Sequence, residues 1–199
     1  MIGPLRQLLA GILSFLLAVP IFSNANDQLR LPAQMSPHHD NRPEKFLLWR
    51  IRMHALLDQE APGLAKKLES LSPEAWRKIL ARACLRANER LVDLGDAARN
   101  LLQSLRVHGV LSGDEVKEAL SLAEAADAKY LALQEQNADQ NRILKFFSEA
   151  RLLTAMAIGF GGAQPKHSAD AVYELLKTVD DPSDLIRVIE SDVDLFANS

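Results

Sequence analysis

Apolar residues recur at every third or fourth position along most of this chain, and that spacing constrains its fold more than any other feature. After the Ser72-Pro73-Glu74 motif, the apolar positions are Trp76, Leu80, Ala83, Ala87, Leu91, Leu94, Ala98, Leu101 and Leu105. Steps of three and four residues keep side chains on one face of an α-helix. Ser72 is suited to cap a first turn and Pro73 to open it. The pattern predicts one long amphipathic helix over residues 73–108, which Gly109 ends.

A second row of apolar positions on one helix face, here called a seam, begins after Ser112. Ser112 stands three residues before Glu115, as in a capping box. The apolar positions of the seam are Val116, Ala119, Ala123, Ala126, Tyr130 and Leu133, and the same heptad frame resumes at Leu144, Phe147, Thr154 and Ile158. Between these runs the frame meets Asn137 and Gln140. The helix therefore either carries a polar layer or breaks there, and the polar stretch favours a break or kink.

These seams and the shorter helical patterns predict an all-α fold. The shorter patterns cover residues 44–59, 63–70, 169–178 and 184–196, with Ser168 as the cap of the third. Residues 72–109 carry seven Lys and Arg against four Asp and Glu, whereas residues 110–158 carry five against eight. Complementary flanks across a short turn suggest an antiparallel pair. We therefore predict a bundle of five to seven helices built around a long antiparallel helical hairpin.

The first 25 residues have the pattern of a secretory signal peptide. One positive charge, Arg6, precedes an apolar run over residues 8–22, and Ser23-Asn24-Ala25 offers small residues at both cleavage-specifying positions. Cleavage after Ala25 would leave a proline-punctuated linker at 26–43 and a helical domain at 44–199, in the periplasm or outside the cell. The alternative is an uncleaved inner-membrane anchor, but the run is shorter than the roughly 20 apolar residues of a spanning helix.

Composition excludes some classes of function. The formal net charge of −3 gives no reason to expect nucleic acid as a partner. The single Cys84 cannot form an intramolecular disulfide. Its apolar neighbours favour a core residue over a nucleophile.

Four basic residues form the strongest candidate binding site. Lys78, Arg82, Arg86 and Arg90, here called the basic ridge, stand at successive intervals of four residues. Each lies one turn above the last with about 40° of drift. Such a row can bind phosphates, lipid headgroups or an acidic protein partner. The more common alternative is a solvated helix face whose charges pair with acids such as Glu89, Asp93 or those of the following helix.

Metal and cofactor sites are not predicted. His38-His39-Asp40 has ligand chemistry, but adjacent residues of an extended arm point apart. Gly159-Phe160-Gly161-Gly162 lacks the strand and the Gly-Lys-Ser/Thr of a phosphate loop, and we interpret it as the end of a helix.

We expect a non-enzymatic module that binds a protein partner, such as an adaptor, chaperone, inhibitor or immunity-type protein. Serine-hydrolase and zinc-protease motifs are absent. One alternative is an envelope enzyme that acts on cell-wall material through Glu69 or Glu190. Glu69-Ser70 and Glu190-Ser191 resemble the Glu-Ser pair of lytic transglycosylases over those two residues alone. Another is a membrane-tethered structural protein. The seam can also pack between two chains, which leaves a homodimer open.

Overall fold

Residues 53–91, 93–161 and 167–197 are described by the computed structural model, and all of their regular structure is helical. The helices are α1 (53–60), α2 (Leu64–Glu69), α3 (Pro73–Asn88), α4 (Asp96–His108), α5 (Gly113–Glu135), α6 (Gln140–Gly161), α7 (Ser168–Leu176) and α8 (Ser183–Ala197). The predicted all-α class is confirmed for these residues. The predicted signal peptide and linker, and the His38-His39-Asp40 cluster, lie outside the described residues.

The predicted single helix over residues 73–108 is wrong, because the chain leaves helical geometry between α3 and α4. Asp93 takes a left-handed conformation with φ 63°, and Gly95 is the extended N-cap of α4 rather than a kink inside a helix. Two side chains of α6 bind this connection. Glu149 Oε1 accepts a hydrogen bond from Gly95 N at 3.1 Å, and Lys145 Nζ lies 2.5 Å from Asp93 Oδ2. The break raises the number of described helices to eight, above the five to seven predicted.

A break near Asn137, which the sequence favours, separates α5 from α6. Asn137 has φ 49°, and helical structure stops at Glu135 and resumes at Gln140. The capping box predicted at the start of α5 is present in full. Contacting pairs run in opposite directions along the two helices, from Tyr130 against Phe147 to Asp127 against Arg151. These two helices are therefore antiparallel neighbours, whereas the predicted hairpin used an unbroken 73–108 helix that the structure does not contain.

The hydrophobic core lies where α3, α6 and α7 meet. Its largest fully buried side chains include Trp76, Leu80, Leu152, Met156, Leu175 and Leu176. Burial of each such side chain contributes about 1.5–3 kcal/mol. The core therefore fixes the face of α3 that points inward and leaves the basic ridge on another face.

Helix α7 begins one residue earlier than predicted. Ser168 is its first residue and is fully buried, and His167 occupies the N-cap without a side-chain hydrogen bond to the helix. The prediction of Ser168 as cap is wrong. The predicted helix end at the glycine-rich segment is close, since α6 continues through Gly159 and Phe160 to Gly161.

Helix α8 docks on α3 through an apolar stripe. Leu185, Ile189 and Val193 are at most 2% exposed, and Phe196 packs against the same core at its edge. At about 1.5–3 kcal/mol per buried side chain, this stripe supplies most of the docking free energy. It also brings the acidic residues of α8 to the side of α3 that carries the basic ridge.

Close packing at Gly159 gives a direct test of this core. A Cβ at this position would lie 1.9 Å from Leu80 Cδ2 and 3.4 Å from the Ala171 side chain. Leu80 is fully buried and has little room to move. We expect Gly159→Ala to lower the free energy of unfolding by about 1–3 kcal/mol in urea denaturation.

The matched control is Gly113→Ala, because a Cβ there would meet no atom within 4 Å. Gly113 opens α5, so alanine should be neutral or slightly stabilising. Equal effects of the two substitutions would contradict the packing described for Gly159.

Candidate functional site

The basic ridge lies along the interface between α3 and α8. Lys78, Arg82 and Arg86 belong to α3, and Arg90 follows its C-terminal end. The exposed fractions of their side chains are 56%, 58%, 42% and 39%, in chain order. Each of the four has a carboxylate partner within this chain. The ridge is therefore a partly exposed row of paired cations.

Asp184, at the start of α8, is the centre of this row. Its Oδ2 accepts hydrogen bonds from Arg86 Nη2 at 2.9 Å, from Arg86 Nε at 3.1 Å and from Arg90 Nη2 at 2.8 Å. Its Oδ1 accepts from Arg187, one turn further along α8. Three guanidinium groups therefore share a single carboxylate, and Arg86 also pairs with Glu89.

These contacts hold the pKa of Asp184 far below its ordinary value. Hydrogen bonds from Arg187 and Arg86, and the positive charges of Arg86 and Arg90, lower the pKa of this carboxyl to about 2. The carboxylate is therefore charged at any pH at which the protein would normally work. It anchors the guanidinium groups in fixed positions.

Arg82 is anchored by a second acid of α8. Its Nη1 lies 2.9 Å from Asp192 Oδ1, and the Asp192 side chain is only 7% exposed. Burial raises the pKa of Asp192, although the charge of Arg82 opposes this shift. Asp192 Oδ2 is buried and has no hydrogen-bond partner among the described residues. A cavity of about 310 Å³ lies beside this pair, lined by Arg82, Arg187, Val188, Ser191 and Asp192.

Lys78, Arg82 and Arg86 lie on one helix as the sequence predicts, whereas Arg90 lies beyond its end. The suggested acid Glu89 pairs with Arg86. The sequence misses the main partners, Asp184 and Asp192, which lie about a hundred residues away in the chain. The suggested partner Asp93 pairs instead with Lys145 of α6. No local signal could have found the α8 partners. The composition of residues 165–199, with three Lys and Arg against eight Asp and Glu, indicates only that acids are plentiful there.

A second group of charges, missed by sequence reasoning, is buried among α5, α6 and α7. Arg151 Nη2 lies 2.6 Å from each carboxylate oxygen of Asp127, and Arg151 Nη1 donates to Glu174 Oε2 at 2.9 Å. The three side chains are 11–13% exposed. Asp170 of α7 is fully buried and acts electrostatically on Glu174. We call Asp127, Arg151, Asp170 and Glu174 the Arg151 cluster.

The signal for this cluster was present in the heptad frame. Position 151 falls on the seam between Phe147 and Thr154, where an apolar residue is expected, and Asp127 adjoins seam residue Ala126. Charged residues at seam positions indicate either a break in packing or a buried ion pair. The structure shows the ion pair.

The other candidates are placed as follows. Cys84 is fully buried, and burial raises the pKa of its thiol, so its interpretation as a core residue is supported.

Glu69 Oε1 lies 3.2 Å from His54 Nε2, and both side chains are partly exposed. Neither Glu69 nor Glu190 lines the cavity beside Arg82. Neither lines a second cavity of about 520 Å³ near His108, bordered by Ser104, Val110, Leu111, Ser112 and Glu115.

Residues 53–91, 93–161 and 167–197 hold no group of three or more His, Cys, Asp or Glu side chains arranged to bind a metal ion. In the same residues, no helix combines the length and apolar character needed to cross a membrane. Comparison with protein-family models, with curated proteins and with solved structures yields no match.

The low pKa of Asp184 predicts how the stability of the α3–α8 interface changes at acid pH. Since the folded-state pKa, about 2, lies below the ordinary value of 3.8, its contribution to stability is present above pH 3.8 and is lost as pH falls towards 2. We expect Asp184→Asn to lower the melting temperature at pH 6. The difference from the unmodified chain should shrink between pH 4 and pH 2 in thermal denaturation followed by circular dichroism. A difference that stays constant over this range would contradict the ion-pair assignment.

Proposed function

We propose that this chain is an exported, non-enzymatic helical module that binds an acidic segment of a protein partner through the basic ridge. An adaptor, chaperone, inhibitor or immunity-type protein fits this description. The observation that carries the proposal is the anchoring of three ridge arginines by Asp184 and Asp192 while about half of each guanidinium-bearing side chain stays exposed.

Anchoring matters because an arginine fixed by one carboxylate keeps further N–H donors for a second. The guanidinium group has five N–H donors in a planar fork. Arg82 uses Nη1 towards Asp192, and Arg90 uses Nη2 towards Asp184. A side chain that is already ordered loses less conformational entropy on binding. A carboxylate-rich partner surface would therefore meet donors held in place.

The exposed guanidinium donors around Asp184 also favour an acidic partner. Arg86, Arg90 and Arg187 all bond to this one carboxylate, and Arg187 is 78% exposed. Electrostatic complementarity mainly sets specificity and the rate of encounter. Binding by this surface should therefore weaken as salt concentration rises.

A double substitution tests the ridge without removing its anchors. Lys78 and Arg82 are its most exposed members, whereas Arg86 and Arg90 hold Asp184. We expect Lys78→Gln with Arg82→Gln to reduce, by about tenfold, the recovery of partners captured from the native envelope, measured by quantitative mass spectrometry. A tenfold loss corresponds to about 1.4 kcal/mol.

The matched control is Arg106→Gln with Lys117→Gln, which removes the same charge from exposed positions outside the ridge. The control should recover the same partners as the unmodified chain. Thermal denaturation of both variants verifies that they are folded. If the ridge variant is folded and recovers the same partners in the same amounts, the two most exposed cations of the ridge take no part in binding, which contradicts the proposal.

Export has its own test, which is independent of the ridge. We expect the intact mass of the mature protein to correspond to a chain that begins at Asn26, after loss of residues 1–25. A full-length mass recovered from the membrane fraction would contradict cleavage and favour the tethered alternative.

A further inference from the structure

The Arg151 cluster contains more buried acids than bases. Asp127 and Glu174 bind the single guanidinium group of Arg151, and the charge of Asp170 acts on Glu174. Asp170 also faces His167, whose Nδ1 lies 3.6 Å from Asp170 Oδ2 and which carries charge only when protonated. If Asp127 and Glu174 were both ionised, two carboxylates that are each 11% exposed would share one guanidinium group in a region of low dielectric constant. Such a state is costly, and proton binding relieves it.

From this arrangement we infer that Glu174 binds a proton as α7 docks on α6, so that acidification tightens the docking of α7 and alkaline pH loosens it. Glu174 is suited to this role because, within the described part of the chain, it receives one hydrogen bond, at Oε2, whereas Asp127 receives close contacts from Arg151 on both oxygens. A neutral carboxyl still accepts through its carbonyl oxygen. Protonation of Glu174 therefore leaves the contact with Arg151 in place.

The charged groups around Glu174 come from three helices. The charges that act most strongly on it are Arg151 of α6, Asp127 of α5 and Asp170 of α7. Burial raises the pKa of Glu174. The two aspartates act in the same direction, and Arg151 opposes them. Lys177, just after α7, pairs with Glu60 of α1.

Helices α2 and α3 also pack against α7. Their charged residues are Lys66, Lys67, Glu69, Glu74, Arg77, Lys78, Arg82 and Arg86. Several of these are engaged elsewhere. Lys67 pairs with Asp194, Lys78 with Glu74, and Arg82 and Arg86 with the acids of α8. Among the described residues, the charges that act most strongly on Glu174 are therefore those of the Arg151 cluster.

The consequence for the molecule follows from the position of α7. It lies between α6 and the turn that leads to α8, and α8 supplies the anchors of the basic ridge. Tighter docking of α7 would stabilise the segment that carries α8. Proton binding by Glu174 does not depend on whether the ridge binds a partner.

The sign of the expected pH dependence is fixed by linkage. In the unfolded chain Glu174 has its ordinary pKa, and in the folded chain the pKa is higher. The stabilising contribution of the bound proton is fully present below the ordinary value of 4.5 and is lost as pH rises through the folded-state pKa. Glutamine mimics the protonated side chain at every pH.

The test is the melting temperature of Glu174→Gln and of the unmodified full chain between pH 4.5 and pH 8. We expect the value for the variant minus that for the unmodified chain to increase steadily with pH. Glu124→Gln removes an exposed glutamate of α5 and should show no such increase. A difference for Glu174→Gln that stays constant or decreases with pH would overturn the proposal.

A second variant keeps the proposal testable if Glu174→Gln does not fold. Asp170→Asn removes a neighbouring buried carboxyl of the same helix. Its melting-temperature difference from the unmodified chain should increase with pH in the same direction. A constant or opposite trend would again contradict an acid excess in the cluster.

Discussion

The contact on which the rest of this bundle depends is the one between Arg151 and its buried carboxyl groups. This side chain leaves the seam of α6 and binds Asp127 on α5 and Glu174 on α7 at once. Inside a protein, an ion pair of this kind adds little net stability over apolar packing, but loss of one partner leaves a buried charge at high cost. The cluster therefore fixes how the three helices are placed more than it strengthens their association. Only a register that brings 127, 151 and 174 together avoids that cost.

At the interface between α3 and α8, apolar and charged contacts have different roles. There the apolar stripe of α8 supplies the docking free energy, and the ion pairs at its edge determine what solvent and partners encounter. Ion pairs whose cations stay largely in solvent contribute little to stability. Asp184 therefore acts mainly to organise arginine side chains and adds a modest share of the stability. The Arg151 cluster therefore fixes the positions of helices in the interior, and the basic ridge with its α8 acids determines the charge of a surface.

Periodicity and capping chemistry were enough to predict the all-α class, the helix over 63–70, the capping box at Ser112 and the break near Asn137. These features depend on residues close together in the chain. The break between α3 and α4 was missed because residues 89–95 continue the apolar spacing, while the contacts that hold the break come from Glu149 and Lys145, more than fifty residues away. The ridge was visible as a row, and its anchors on α8 were not, for the same reason. The Arg151 cluster could have been suspected from a charge at seam position 151, although its partners could not have been named.

The most direct test of the claim that Arg151 fixes this helix arrangement is the free energy of unfolding of Arg151→Met at neutral pH. Methionine retains an unbranched apolar chain and removes the charge, so the buried carboxyl groups lose their shared partner. We expect the free energy of unfolding to fall by about 3–5 kcal/mol relative to the unmodified chain. A change smaller than about 0.5 kcal/mol, the range of an ordinary surface substitution, would show that the helices are placed by apolar packing alone.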